Sequence, residues 1–211
     1  MQPPTSTREL NAAFLTVMLE GRYTDAYLAD AGSDAPRFTD EELTTIASPV
    51  DFAGINVYRP NVYIAPSDRP PGYHVIPISA SHPTMASAWH IVDPEVMYWA
   101  PRQVNSLWQP KSIFITENGC ASADQISEDG NIYDSDRVMF LRACLTQLQR
   151  ATSEGLPVHG YFHRSAQDNF EWLSGFGDRF GLIYVDFTTL ERIPKLCAQW
   201  YREAARLNAV V

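Results

Sequence analysis

Cysteine is scarce in this chain: three among 211 residues, Cys120, Cys144 and Cys197, an odd number with no close pair. That spacing suits neither a disulfide framework nor a zinc site, whose ligands come closely spaced. Histidine adds no metal motif. Of the five, only His159 and His163 stand four apart, and Gly160-Tyr161-Phe162 between them reads as strand, where that spacing merely puts both on one face. No run approaches the roughly 20 apolar residues of a membrane-spanning helix. Met1-Gln2-Pro3-Pro4-Thr5-Ser6 has neither the charged nor the apolar part of a signal peptide. Basic residues are outnumbered, 16 Lys and Arg against 25 Asp and Glu, for a net charge of −9. Phosphates of nucleic acid and anionic lipid repel such a surface. The expectation is a cytoplasmic, globular chain without metal or cofactor, and without nucleic-acid or membrane partners.

Hydrophobic residues make up 45% and charged ones 19%, enough to bury a sizeable core. At roughly 150 residues per domain the length suggests one domain or two small ones. Ser6-x-x-Glu9 has the form of a capping box, followed by Leu10, Phe14, Val17 and Met18 at helical spacing, with Gly21 as the stop. Thr39 and Glu42 form a second such start, and Ser48-Pro49 ends that helix. The apolar run 50–58 predicts a buried strand. Residues 60–93, rich in Pro, Ser and His, read as one long loop.

Beyond that loop, 94–108 is helical in pattern, with a restart expected at Pro101. Strand is predicted at 111–116, an amphipathic helix over 136–153, and a third strand at 158–162. Residues 182–187 are extended, and Pro194 opens a last helix. Strands alternating with helices imply an α/β fold with a parallel sheet, whose chemistry collects at the C-terminal strand ends.

Polar residues follow each predicted strand: Asn56 and Tyr58, then Glu117 and Asn118, then Arg164, Gln167, Asp168 and Asn169. A carboxylate right after an apolar strand, as at Glu117, projects either into a cleft or, as an acidic turn residue, into solvent. Tyr58 is either a hydrogen-bond donor to it or an ordinary strand-end aromatic. Asp168-Asn169-Phe170-Glu171-Trp172 combines carboxylates, an amide and an indole, groups that hold sugar hydroxyls and stack on a sugar's C–H face. Trp89 and Trp108 are further platforms or else packing residues.

These segments resemble glycoside hydrolase family 1, the retaining β-glucosidases. Ile115-Thr116-Glu117-Asn118-Gly119 is similar to the family's nucleophile motif, and Asp51 through Tyr58 to its sixth barrel strand. Gly160-Tyr161-Phe162 through Trp172 resembles the eighth strand and sugar-binding loop. Ser174 through Leu182 and Arg192-Ile193-Pro194-Lys195 continue the likeness. The resemblance implies a partial TIM (β/α)8 barrel carrying strands six to eight with their helices, with 1–211 as a single C-terminal half-barrel domain. It implies Glu117 as nucleophile, Tyr58 as its hydrogen-bond donor and Asn56 on the floor. Glu171 and Trp172 would hold the terminal sugar, Phe180 would form a wall, and Trp89 a platform for the leaving group. The ligand implied is a β-glucoside or short oligosaccharide.

The chain departs from that pattern in two places. No Asn-Glu-Pro occurs, so the general acid/base and the first five strands have no counterpart. Arg164-Ser165 stands where the family usually has Trp-Ser, so the Arg either weakens the binding floor or fills it with charge, or else stacks by its guanidinium plane as a poorer platform. A bare strand edge predicts a homo-oligomer or a complementing chain. Three readings follow: an assembled β-glucosidase, a catalytically silent sugar-binding remnant, or a truncated fragment.

Overall fold

The computed structural model describes residues 4–69 and 72–211. Helix α1 (Pro4–Leu10) passes through a π-helical turn (Ala12–Thr16) into α2 (Val17–Glu20), which Gly21 stops in the left-handed region at φ 69°. Because α1 already includes Pro4, Ser6 is a buried residue inside the helix and not its cap. Leu10, Phe14 and Met18 project outward while Val17 is buried. Helix α3 (Asp25–Ala31) and α4 (Asp40–Ile46) complete the N-terminal layer. The box at α4 forms as predicted: the Thr39 side chain accepts from the Glu42 N–H, and Glu42 accepts from the Thr39 N–H.

Strand β1 (Ala53–Asn56) follows. The expected long loop instead contains a hairpin, β2 (Tyr63–Pro66) antiparallel to β3 (Tyr73–Ile76). Its strands are short and half-exposed, so they carry no apolar alternation to read. Helix α5 (Val96–Trp108) runs through Pro101 without the expected restart. Met97, Pro101 and Val104 are all buried on one face, and that packing outweighs the one backbone bond the proline forfeits.

Strand β4 (Ile113–Asn118), helix α6 (Ser135–Ser153) and strand β5 (Val158–His163) follow the predicted order. Strand β4 extends through Glu117 and Asn118, so the candidate nucleophile sits on the strand end itself. The extended segment becomes β6 (Ile183–Val185), paired antiparallel with β7 (Arg192–Pro194). Pro194 therefore closes a strand, and α7 (Leu196–Leu207) begins after Lys195.

The main sheet has the order β1-β4-β5, all parallel. Ala53, Ile55 and Val57 with Ile113 and Ile115 face α5 and α6, meeting Met97, Val104, Phe140, Leu141, Cys144 and Leu148. Period-two alternation sends Phe52, Asn56, Phe114 and Phe162 to the other face, where Phe52 and Phe162 are more than half exposed. The chemistry-bearing strand ends all lie at one end of this sheet. Among the described residues no helix is long and apolar enough to cross a membrane, and no cluster of His, Cys, Asp or Glu is arranged to hold a metal ion.

Candidate active site at the C-terminal strand ends

Asn56 ends β1 and Tyr58 lies two residues on, Glu117 sits near the end of β4, and Arg164 directly follows β5. Parallel register brings them together, with Asn56 paired to Glu117. Gly119 permits the close approach of the last two strands. A Cβ there would meet Arg164 Cβ and the His163 ring, each at 3.0 Å. Gly181 plays the same part for the following loop, since its Cβ would lie 2.2 Å from the Asp168 backbone nitrogen. A cleft of about 370 Å3 results, lined by Asn56, Tyr58, Trp89, Glu117, Arg164, Glu171, Trp172 and Phe180. The eight residues to which the family resemblance gave a place in the site thus share one cavity.

Within the cleft Tyr58 donates its phenolic hydrogen to Glu117 Oε2 at 2.6 Å. Burial, and then that bond to a carboxylate, hold the phenol protonated far above its ordinary range, so Tyr58 acts as a fixed donor. Arg164 Nη2 donates to both oxygens of Glu171, at 3.0 and 2.9 Å, with both side chains largely buried. Asn56 accepts from the Thr116 hydroxyl at 2.8 Å. Trp89 and Phe180 lie nearly parallel, ring centres 6.4 Å apart, and Trp89 meets Tyr58 edge-on at 5.8 Å. Trp172 is 78% exposed and sits at the mouth.

Other expectations for this region resolve differently. Asp168 is buried and bound to Lys195 and Arg179, and Asn169 bonds back to Ser165 and Gln167. Of the motif Asp168 to Trp172, only Glu171 and Trp172 line the cleft. Trp108 is no platform: it ends α5 and donates to Glu20.

Four supporting residues take roles that the sequence did not assign to them. Asn118 is fully buried, donates to Val57 O at 2.8 Å and accepts from the Tyr161 hydroxyl at 2.9 Å. It fastens β4 to the chain after β1 and to β5. His90 stacks beneath Trp89 at 4.8 Å and 7°, and its Nε2 lies 3.2 Å from Tyr58 O. His163 Nε2 donates to Phe180 O at 3.1 Å. Asp178 accepts from Ser87 and Ser174, each at 2.8 Å, tying the Trp89 loop to the Trp172 loop.

Burial drives both His90 and His163 down to about 4 from 6.5, because the imidazolium would lose its hydration. The unfolded chain takes up protons at these rings below about pH 6.5 and the folded chain only near 4, so stability is expected to fall across that window. Each ring contributes up to about 3 kcal/mol by the lower end. Urea unfolding midpoints measured through the window should show the slope. Substituting both rings with Gln should flatten it, and an unchanged slope would count against neutral buried rings.

With this geometry in place the comparisons decide the family. The profile of glycosyl hydrolase family 1 matches residues 5–210. The chain belongs to glycosyl hydrolase family 1. Beta-glucosidase A of Thermotoga maritima is 36% identical over 197 residues, covering 93% of this chain and 44% of that protein. A bifunctional beta-D-glucosidase/beta-D-fucosidase of Bifidobacterium breve is 36% identical over 212 residues, covering 91% and 45%. The solved beta-glucosidase of T. maritima in complex with galacto-hydroximolactam superimposes with a TM-score of 0.85 at 31% identity, covering 98% of this chain and 47% of that one. This family 1 chain spans somewhat less than half the length of these relatives.

Proposed function

We propose that the cleft is the nucleophile side of a retaining β-glucosidase site acting on terminal β-D-glucosyl groups. The observation that carries this reading is the 2.6 Å bond from Tyr58 to Glu117 at the end of a parallel strand inside a sugar-sized cleft. Glu117 is held in aim by the Tyr58 hydrogen bond. It attacks the anomeric carbon, the aglycone oxygen leaves with the bonding electrons, and a glycosyl ester forms that water later cleaves. Glu171 and Trp172 take the sugar hydroxyls, Asn56 forms the floor, and Trp89 with Phe180 supports the aglycone side. The three parallel strands correspond in this reading to the sixth to eighth of a barrel, with 1–211 as one domain.

Glu171 is the other carboxyl lining the cleft, and Arg164 Nη2 donates to both of its oxygens. In this reading Glu171 serves the sugar hydroxyls, and the general acid/base is not among the cleft residues. Aryl leaving groups need little protonation and are the substrates least affected by its loss, which otherwise costs about 10²- to 10⁴-fold.

A fluorosugar aryl β-glucoside, whose glycosyl ester turns over slowly, tests the assignment. The expected result is a mass increase of one fluoroglucosyl group, mapped to the peptide containing Glu117. Saturable glucose binding without labelling would instead mark a catalytically silent sugar-binding remnant. Tyr58→Phe, which removes a charge-assisted hydrogen bond, is expected to slow labelling by about 10- to 100-fold while the fold persists. Equal rates for the two proteins would remove Tyr58 from the mechanism.

A further inference from the structure

Three of the eight cleft-lining residues are charged: Glu117, Glu171 and Arg164. We propose that Arg164 determines which sugar-ring ligands this cleft accepts, weakening its attraction for rings that carry positive charge relative to neutral glycons. The proposal deepens the glycosidase reading and rests on it.

Its first support is the charge count. Two carboxylates and one guanidinium leave the cleft at −1, whereas a neutral residue at 164 would leave −2. The guanidinium shares the cleft with Glu117 and Tyr58; burial lowers its proton affinity, but the bond to Glu171 and the negative charges of Glu171 and Glu117 more than offset that. It stays a cation wherever the protein is folded. A positively charged ring therefore meets a cation whose field offsets one of the carboxylates that would otherwise attract it. The same offset acts on the oxocarbenium-like charge that develops during glycosidic cleavage.

The second support is the hydrogen-bonding pattern. The contact to Glu171 uses Nη2 alone, and Nε and Nη1 have no partner among the described residues. Each Glu171 oxygen retains an accepting lone pair. The pair thus offers an acceptor and donors side by side, which matches two neighbouring hydroxyls of a neutral sugar, one donating to Glu171 and one accepting from Arg164. The backbone fixes this arrangement: Arg164 N donates to Asn118 O at 2.8 Å, and Ser165 turns the chain at φ 69°.

Two probes of the same ring shape separate the effects: an amine iminosugar at a pH where it is protonated, and the neutral gluconolactam. Both are titrated calorimetrically against the unaltered chain and its Arg164→Gln, Arg164→Trp and Arg164→Lys variants. The two neutral replacements are expected to raise amine affinity on the order of ten-fold while lactam affinity holds or falls. Arg164→Lys keeps the charge and is expected to keep the preference of the unaltered chain. Equal shifts for both probes, or a lysine variant that behaves like the glutamine one, would overturn the role of charge at 164. Failure of every folded protein to bind either probe would overturn the sugar-site reading itself, a different result from equal shifts.

Discussion

Exchange of Glu117 for Gln is expected to abolish turnover of an aryl β-glucoside, lowering the rate by about 10⁴-fold or more, as removal of a nucleophile typically does. The substitution is nearly isosteric and keeps an oxygen that can accept from Tyr58, so folding should be unaffected. What disappears is the negative charge and the ability to form a glycosyl ester. An aryl leaving group is the right choice because it makes bond cleavage nearly independent of a general acid. Matched unfolding curves with lost turnover would place the chemistry on Glu117. Retained turnover would move the nucleophile elsewhere and leave Glu117 as a structural acceptor for Tyr58.

The largest expected effect on stability belongs to Lys195→Met. Lys195 is fully buried, with Nζ 2.6 Å from Asp124 and 2.8 Å from Asp168. Arg137, also fully buried, pairs with Asp124 and Asp134, and Arg179 pairs with Asp168. Three carboxylates and three cations balance in a region where every side chain but Arg179 is fully buried. Removing Lys195 leaves one negative charge uncompensated, at a cost of about 3 to 5 kcal/mol. In a domain of this size that lowers the melting temperature by roughly 10 °C. Adding Asp168→Asn to Lys195→Met should recover part of the loss, because the excess charge goes with it. Additive losses in that double variant would show that the network acts by packing and not by charge balance.

The same network bears on the site. Asp168 accepts from the Gly181 N–H at 3.0 Å and Arg137 Nη2 donates to Arg179 O at 2.7 Å, clamping the chain on both sides of Phe180. A loop that carries a wall of the cleft is thus held by charges that never touch a ligand. Loss of Lys195 should therefore loosen sugar binding as well as the fold.

Strand and helix order was legible because β1, β4 and β5 are short apolar runs and α6 is amphipathic, signals that need no tertiary context. The eight cleft residues were legible because parallel strands collect their C-terminal ends by geometry alone, and because the motifs around Glu117 and Glu171 are long. The capping box at Thr39 and Glu42 is a local hydrogen-bond exchange, and it formed as written. The box at Ser6 did not, since α1 starts earlier and buries that serine.

Long-range packing decided the rest. Pro101 stays inside α5 because the face formed by Met97 and Val104 is buried on either side of it. The hairpin of β2 and β3 and the pairing of β6 with β7 depend on partners that no local periodicity records. Asp168 reads as a sugar ligand in its pentapeptide, yet Lys195 and Arg179, both remote in sequence, draw it into a buried ion network. His90 gave no sign of lying under Trp89 with its edge on the Tyr58 carbonyl. Chain order alone sets the chemistry available at each strand end, because side-chain type and strand polarity are local properties. Which of those groups face one cleft and which neutralise each other is settled by long-range packing, because charge pairing and stacking depend on distances that chain order does not carry.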